Sequence, residues 1–289
     1  MKILYVAELV GKAGIYALKK ALPEIRQSLS PDAVIVCADG ATGGSGLGRS
    51  HAAYIRKLGA DIITTGECAF YKKDLVEHWP KIPYVLRPLN MGPPSPGVPG
   101  FGWRVFTIGG SGPGGANGKG GGAGSDSGGS GGRFKLAAAV LLGTNFNRLR
   151  VSNPFAELES LLDRLRAETP FVFLDFHAWA SGEKRSLFAA AAGRCTAVVG
   201  SHNRVQTADG EILDGTAVIC DAGRTGSAES VGGTAAAVRI REFLSGIPEW
   251  KEDAWDRCEV QGVLIEADNA TGRALSIERL RVPVPPQDA

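Results

Sequence analysis

Two histidines in this 289-residue chain each close an apolar run. His177 follows Phe171-Val-Phe-Leu-Asp-Phe and His202 follows Ala197-Val-Val-Gly-Ser. Three acids hold the same kind of position: Glu8 after Ile3-Leu-Tyr-Val-Ala, Asp39 after Ala33-Val-Ile-Val-Cys-Ala, and Glu67 after Asp61-Ile-Ile-Thr-Thr-Gly. An apolar, β-branched run ending on a polar residue is how a parallel sheet delivers ligands at its strand ends. Imidazoles and carboxylates together suit Mn, Fe or Zn better than Mg or Ca. Taken singly, each residue has a plainer reading: a strand-end acid is an ordinary exposed residue, and a lone strand-end histidine is more often structural than a ligand. Two residues beyond His202 stands Arg204, whose guanidinium has donors only and no lone pair for a metal. The loop is therefore half a metal site and half something else.

Other chemistries fit less well. The loop Gly43-Gly-Ser-Gly-Leu-Gly48 lacks the Gly-Lys-Ser/Thr ending of a phosphate-binding loop and has Arg49 where a dinucleotide fingerprint needs its third glycine. It also misplaces the second glycine of a Gly-x-Ser-x-Gly nucleophile elbow. Cys68 sits at a strand-to-helix junction, where a helix N-terminus would lower its pKa and make it a nucleophile candidate; the plainer reading is a small, semi-buried thiol. His51 and His78 fall on predicted helices as surface or packing residues.

The elements that must position these side chains alternate. Residues 2–7 read as a strand, Val10 to Gly14 as a turn, and Ile15 to Ser28 as a helix. Residues 33–38 and 61–65 read as further strands, each followed by a helix, the first reaching about Leu58 and the second covering 71–78. Right-handed crossovers keep the carboxyl ends of parallel strands on one side, which would gather Glu8, Asp39 and Glu67 at one sheet edge, within reach of His177 and His202. The Pro-rich run 87–100 resists regular structure and is expected to cross the surface. Strands are expected at 103–108, 134–142, 171–177 and 216–219, helices at 153–168, 182–193 and 230–244, and a closing hairpin at 258–268 and 275–282 around Asn269-Ala-Thr-Gly272. Between 109 and 132 lie 14 glycines in 24 residues, a composition that cannot bury enough apolar surface to order itself. The expectation is one domain over 1–289 with a disordered insertion at 109–132.

Composition narrows the function classes. A net charge of +2, with no Lys/Arg cluster interleaved with aromatics, argues against DNA or RNA as partner. No run approaches the roughly 18 apolar residues of a membrane span, and Glu8 ends the N-terminal apolar run too early for a signal peptide. The five cysteines are odd in number, without a Cys-x-x-Cys pair, and fit reduced thiols and a cytoplasmic location.

Read in order, several stretches carry a common text. They are Asp39-Gly-Ala-Thr-Gly-Gly-Ser-Gly-Leu, Asp61-Ile-Ile-Thr-Thr-Gly-Glu-Cys-Ala-Phe-Tyr-Lys-Lys, Arg87-Pro-Leu-Asn, Phe173-Leu-Asp-Phe-His-Ala, Ser181-Gly-Glu-Lys, Val198-Val-Gly-Ser-His-Asn-Arg-Val-Gln-Thr-Ala-Asp, Asp221-Ala-Gly-Arg-Thr-Gly and Ile277-Glu-Arg. Together they resemble the YmdB-type branch of the calcineurin-like metallophosphoesterases over nearly the whole chain except 109–132. The resemblance implies an α/β sandwich with helices flanking the sheets. It also implies a two-metal site fed by the strand ends, and hydrolysis of phosphodiesters, 2′,3′-cyclic nucleotides among them.

Carried over residue by residue, the pattern is altered. Glu8 stands where the family has Asp, Asp39 where it has Glu, Gly40 where it has Asn and Glu67 where it has Asn. Cys68 replaces a histidine expected to help protonate the leaving oxygen, and Arg204 replaces the second histidine of a Gly-Thr-His-Thr-His motif. His177 and His202 match unchanged. One metal position would use the residues at Glu8, Asp39, Gly40 and Arg204, and it has lost a ligand and gained a cation. The other would use Asp39, Glu67, His177 and His202, all able to coordinate. The resemblance therefore implies one divalent ion at most, with Arg204 either holding a phosphate oxygen bidentately or pairing with Glu8. Two functions stay open: a metal-dependent phosphodiesterase with Cys68 and Arg204 in catalytic roles, or an inactive relative that binds a phosphorylated ligand or a protein partner. A homo-oligomer is compatible with either.

Overall fold

The first apolar run folds as β1 (Lys2–Val6), buried from Ile3 onward, and the chain adds a two-residue strand, β2 (Glu8–Leu9), before α1 (Gly11–Leu29). In this computed structural model, which describes residues 1–109 and 133–286, the strand-then-helix rhythm repeats. It gives β3 (Ala33–Cys37), α2 (Arg49–Leu58), β4 (Ile62–Thr64), α3 (Lys73–His78) and β5 (Val85–Leu86). β1, β3, β4 and β5 pair in parallel, so the segments carrying Asp39 and Glu67 leave the sheet on the same side.

A second sheet follows: β6 (Trp103–Ile108), β7 (Phe134–Leu142), α4 (Pro154–Glu168), β8 (Val172–His177), α5 (Ser181–Ala191), β9 (Ala197–Ser201), β10 (Glu211–Leu213) and β11 (Thr216–Ile219). Its order is β10-β11-β9-β8-β7-β6, parallel from β7 through β11 with antiparallel strands at both edges. The chain then returns to the first sheet through β12 (Arg224–Ser227), α6 (Ala236–Ser245) and the hairpin of β13 (Cys258–Ala267) and β14 (Ala274–Pro283). β13 runs antiparallel to both β1 and β12, and β12 pairs with β2, Arg224 opposite Glu8.

The two sheets face each other across an apolar layer containing Ile3, Tyr5, Ile35, Val263, Ala138, Val140, Phe173 and Val199. α1 to α3 cover the outer face of the first sheet, and α4 and α5 that of the second. Strands buried on both faces need this helix–sheet–sheet–helix layering, which is why they read as unbroken apolar runs. Among the described residues, no helix is long and apolar enough to cross a membrane.

Several expectations shift. α1 begins at Gly11 rather than Ile15, α3 at Lys73 rather than 71, and α6 at Ala236 rather than 230, because Val231 and Thr234 form a tight bridge first. His177 and His202 do not share a sheet edge with the acids; they arrive from the facing sheet. In the Pro-rich run the fully buried Arg87 ties the loop together, donating to the carbonyls of Pro88, Gly92 and Pro99 at 2.8 to 2.9 Å. The Gly-rich insertion lies outside the described residues save its first residue, Gly109; Ile108 and Phe134 on either side of it are directly paired.

Candidate metal centre

Both sheets present their carboxyl ends to one end of the sandwich, and four donors converge there. Asp39 follows β3 and is 1% exposed; its two oxygens accept the backbone N–H groups of Gly66 and Cys68, which fixes the carboxylate. Glu67 follows β4 and faces both imidazoles. Its Oε1 lies 3.2 Å from His202 Nδ1, and its Oε2 abuts His177 Nε2 without hydrogen-bond alignment, a buried acceptor left unpartnered. His177 Nε2 and His202 Nδ1 stand 3.2 Å apart, with Asp39 Oδ2 3.9 Å from the former.

Glu67, His177 and His202 bring ligand atoms within 4.8 Å of one another and fit a divalent metal, while Asp39 groups with Glu67 and Cys68 beside them. Ligands about 2.0–2.1 Å from a tetrahedral ion lie roughly 3.3 Å from one another, and the two ring nitrogens are already at that spacing. Electrostatics agree. Burial opposes a charge on His177, but Glu67 and Asp39 outweigh it and hold the imidazole pKa well above its usual value. Burial and the charge of Glu67 push Asp39 up to about 7, while the two histidines hold Glu67 low against its own burial. The pocket is short of positive charge, which a bound metal would supply.

A buried network orients His177. Its Nδ1 lies 2.9 Å from Ser201 Oγ, and that hydroxyl donates to Asp175 Oδ1 at 2.6 Å. Ser201 has one proton and gives it to Asp175, so Nδ1–H of His177 is the donor to Ser201, and Nε2 faces the carboxylates. Asp175 is fully buried; Tyr5 and Thr64 donate their hydroxyls to its other oxygen. Sequence spacing gives no sign of this relay, although a carboxylate inside the run Phe171-Val-Phe-Leu-Asp-Phe must find partners once buried. Ser201→Ala removes the acceptor for Nδ1–H and should weaken metal affinity about 10- to 100-fold. Titration of the apo-protein with metal checks this, and unchanged affinity would sink the assignment.

The loop after β9 is held just as firmly. Lys184 on α5 is buried and reaches Asp221 Oδ2 at 3.1 Å and Asn203 Oδ1 at 3.2 Å, and the Asn203 N–H donates to Asp221. The flanking residues His202 (φ 98°) and Arg204 (φ 60°) adopt left-handed backbone angles, a strained conformation for residues with side chains. His202 also packs on Trp179, ring centroids 4.0 Å apart.

Glu8 and Arg204 do not join the four donors. Arg204 donates Nη2–H and Nε–H to Glu8 Oε1, at 2.6 and 3.1 Å, and its remaining contacts are the carbonyls of Gly232 and Gly44. Four of its five N–H groups are thereby engaged, leaving no pair free for bidentate phosphate binding. Burial disfavours its charge, yet Glu8 raises its pKa further. Gly40 makes the pairing possible. A Cβ there would lie 2.8 Å from both Arg204 Nη2 and Glu8 Oε1.

Cys68 is in the cluster, near Asp39 and Glu67, but its expected activation fails. α3 starts five residues later, so no helix N-terminus points at the thiol, and burial with the charges of Asp39, Glu67 and Glu8 pushes its pKa up. It is a thiol, not a thiolate. His51 bonds Thr42 and His78 ends α3, both away from the site.

The geometry can be set beside known proteins. A family model described as YmdB-like protein matches residues 4–280. The chain is 31% identical over 283 residues to the 2′,3′-cyclic-nucleotide 2′-phosphodiesterase of Bacillus subtilis (strain 168), covering 98% of this chain and 97% of that protein. A solved structure described as a novel phosphatase from Mycoplasma pneumoniae superposes with a TM-score of 0.83 at 27% identity, over 98% of this chain and 93% of that one. A hypothetical protein from Thermus thermophilus gives 0.82 at 26%, over 99% and 100%. With two facing sheets of the calcineurin-like fold and a family match over nearly its whole length, the chain belongs to the YmdB-like family.

Proposed function

We propose that the protein is a phosphoesterase working with one divalent metal, acting on cyclic nucleotides or related phosphodiesters. The convergence of Asp39, Glu67, His177 and His202 carries this reading, while the second position of a two-metal site is filled by the Arg204 guanidinium on Glu8. A metal on the four donors would act as Lewis acid and lower the pKa of a bound water. Arg204 supplies a fixed positive charge beside it without dissociating, and Glu8 holds that charge in place. The Cys68 thiol, grouped with Asp39 and Glu67, has its pKa pushed up by burial and by these carboxylates, which makes it a weak acid. The similarity to a cyclic-nucleotide phosphodiesterase supports the substrate class.

One observation favours a second reading, an inactive relative that binds a phosphorylated ligand or a protein. Arg204 is locked and Cys68 is not ionised, which removes two groups the reaction could use.

The deciding experiment is metal analysis of the purified protein with hydrolysis of 2′,3′-cyclic AMP and bis-p-nitrophenyl phosphate in Mn, Fe, Zn and Mg. About one equivalent of metal with turnover is expected. Less metal and no turnover would sink the enzyme reading, and about two equivalents would sink the role given to Arg204. Arg204→His combined with Gly40→Asn should raise the metal content; a double variant no richer in metal than the wild type contradicts the idea of a filled second position.

A further inference from the structure

α6 is a ten-residue helix in which Val238 is the buried residue. Ile240, Phe243 and Leu244 lie at helical spacing on α6, and beyond its left-handed C-cap Gly246 the chain adds Ile247 and Trp250; the five are 56, 87, 83, 65 and 97% exposed. A helix this short is marginal in water on propensity alone and ordinarily gains its stability by laying an apolar face on something else. Here the apolar face points outward. Together these side chains offer on the order of 700 Å² of apolar surface. Spread over the helix and the segment after it, this approaches the roughly 800 Å² each partner gives to a stable interface.

We propose that this face binds a second copy of the same chain, the two α6 helices packing against each other across a twofold axis. Residues 110–132 and 287–289 contain no Val, Ile, Leu, Met, Phe, Tyr or Trp, so their composition offers no large apolar side chain to match it. The rim fits self-association. Arg239 pairs with Glu242 and Arg241 with Glu249, so both signs border these apolar side chains and a twofold can set arginines of one copy opposite glutamates of the other. A helix lying on a membrane would instead carry an excess of Lys and Arg.

The interface would flank the metal centre. The segment leading into α6 provides the Gly232 carbonyl that holds Arg204, and Lys251, next to Trp250, reaches Ser45 Oγ at 2.8 Å on the glycine turn that also contacts Arg204. The proposal does not depend on the reaction assigned above.

Sedimentation equilibrium on the full chain should give twice the 30.2 kDa chain mass, or a multiple of that. Phe243→Glu and Leu244→Glu change side chains already in water, so circular dichroism should be unaltered while the dimer dissociation constant rises by at least about 30-fold. Phe146→Glu, an exposed apolar residue in another loop, should leave the assembly intact. All five native cysteines are buried, so a single added thiol reports on its own contacts. Of Ile240→Cys, Phe243→Cys and Ile247→Cys, at least one should give an interchain disulfide on mild oxidation. A wild type that stays monomeric at about 0.1 mM overturns the proposal. So does an assembly that survives both glutamate changes, or a monomer that pellets with phosphatidylserine vesicles.

Discussion

Arg204→Ala should destabilise the protein by about 3 kcal/mol, at the low end of the roughly 3–5 kcal/mol seen when one partner of a buried ion pair is removed. The low end applies because Arg204 is 19% exposed whereas Glu8 is 1% exposed. Once the guanidinium is gone, Glu8 is left in a pocket where its second oxygen already lacks a partner, and water reaches it only through the space vacated. Urea unfolding measures the loss. The informative companion is Glu8→Gln with Arg204→Met, which removes both charges and keeps most of the volume. It should recover much of what the single change loses, since replacing a buried pair by neutral groups is often close to neutral. If the single and double variants unfold at the same urea concentration, the two residues are not coupled in the way their 2.6 Å contact implies.

Glu67→Gln should cost most on the chemical side. Gln keeps the shape of the side chain but removes the charge that faces both His177 and His202. Metal content should fall below half an equivalent under conditions that saturate the wild type, and kcat/KM on bis-p-nitrophenyl phosphate should drop by about 10³-fold, several kcal/mol of lost stabilisation. Circular dichroism separates this from a folding defect, because a misfolded protein would lose its spectrum as well as its metal. Full metal content in the variant would remove Glu67 from the ligand set.

Much of this is legible in the residue order. β7 and β11 fall where apolar runs predict them, since strands buried on both faces need nearly unbroken runs and declare their own limits; the half-exposed edge strand β6 also falls at its expected residues. The convergence of Asp39, Glu67, His177 and His202 is readable because each follows such a run, and strand polarity does the rest. β2 and β12 are not readable. They are two and four residues long, and Arg224-Thr-Gly-Ser227 has no apolar alternation; its strand character comes from pairing with β2 and β13. Nor can spacing reveal the relay from Tyr5 and Thr64 through Asp175 and Ser201 to His177, which crosses between the two sheets. Residue order leaves Arg204 two partners, phosphate or Glu8, because only coordinates show which side chain fills the volume that Gly40 leaves open. Cys68 misleads because residue order places a helix start next to it, when the decisive neighbours are carboxylates distant in the chain.

The contact among Gly40, Glu8 and Arg204 also makes positions 40 and 204 interdependent. A Cβ at position 40 would sit 2.8 Å from both the guanidinium and Glu8 and 2.9 Å from the Leu9 carbonyl, so a larger residue there displaces the ion pair. Removing Arg204 instead strands Glu8 in its buried pocket. What either position tolerates thus depends on the residue at the other, and substitutions at the two are expected to be non-additive.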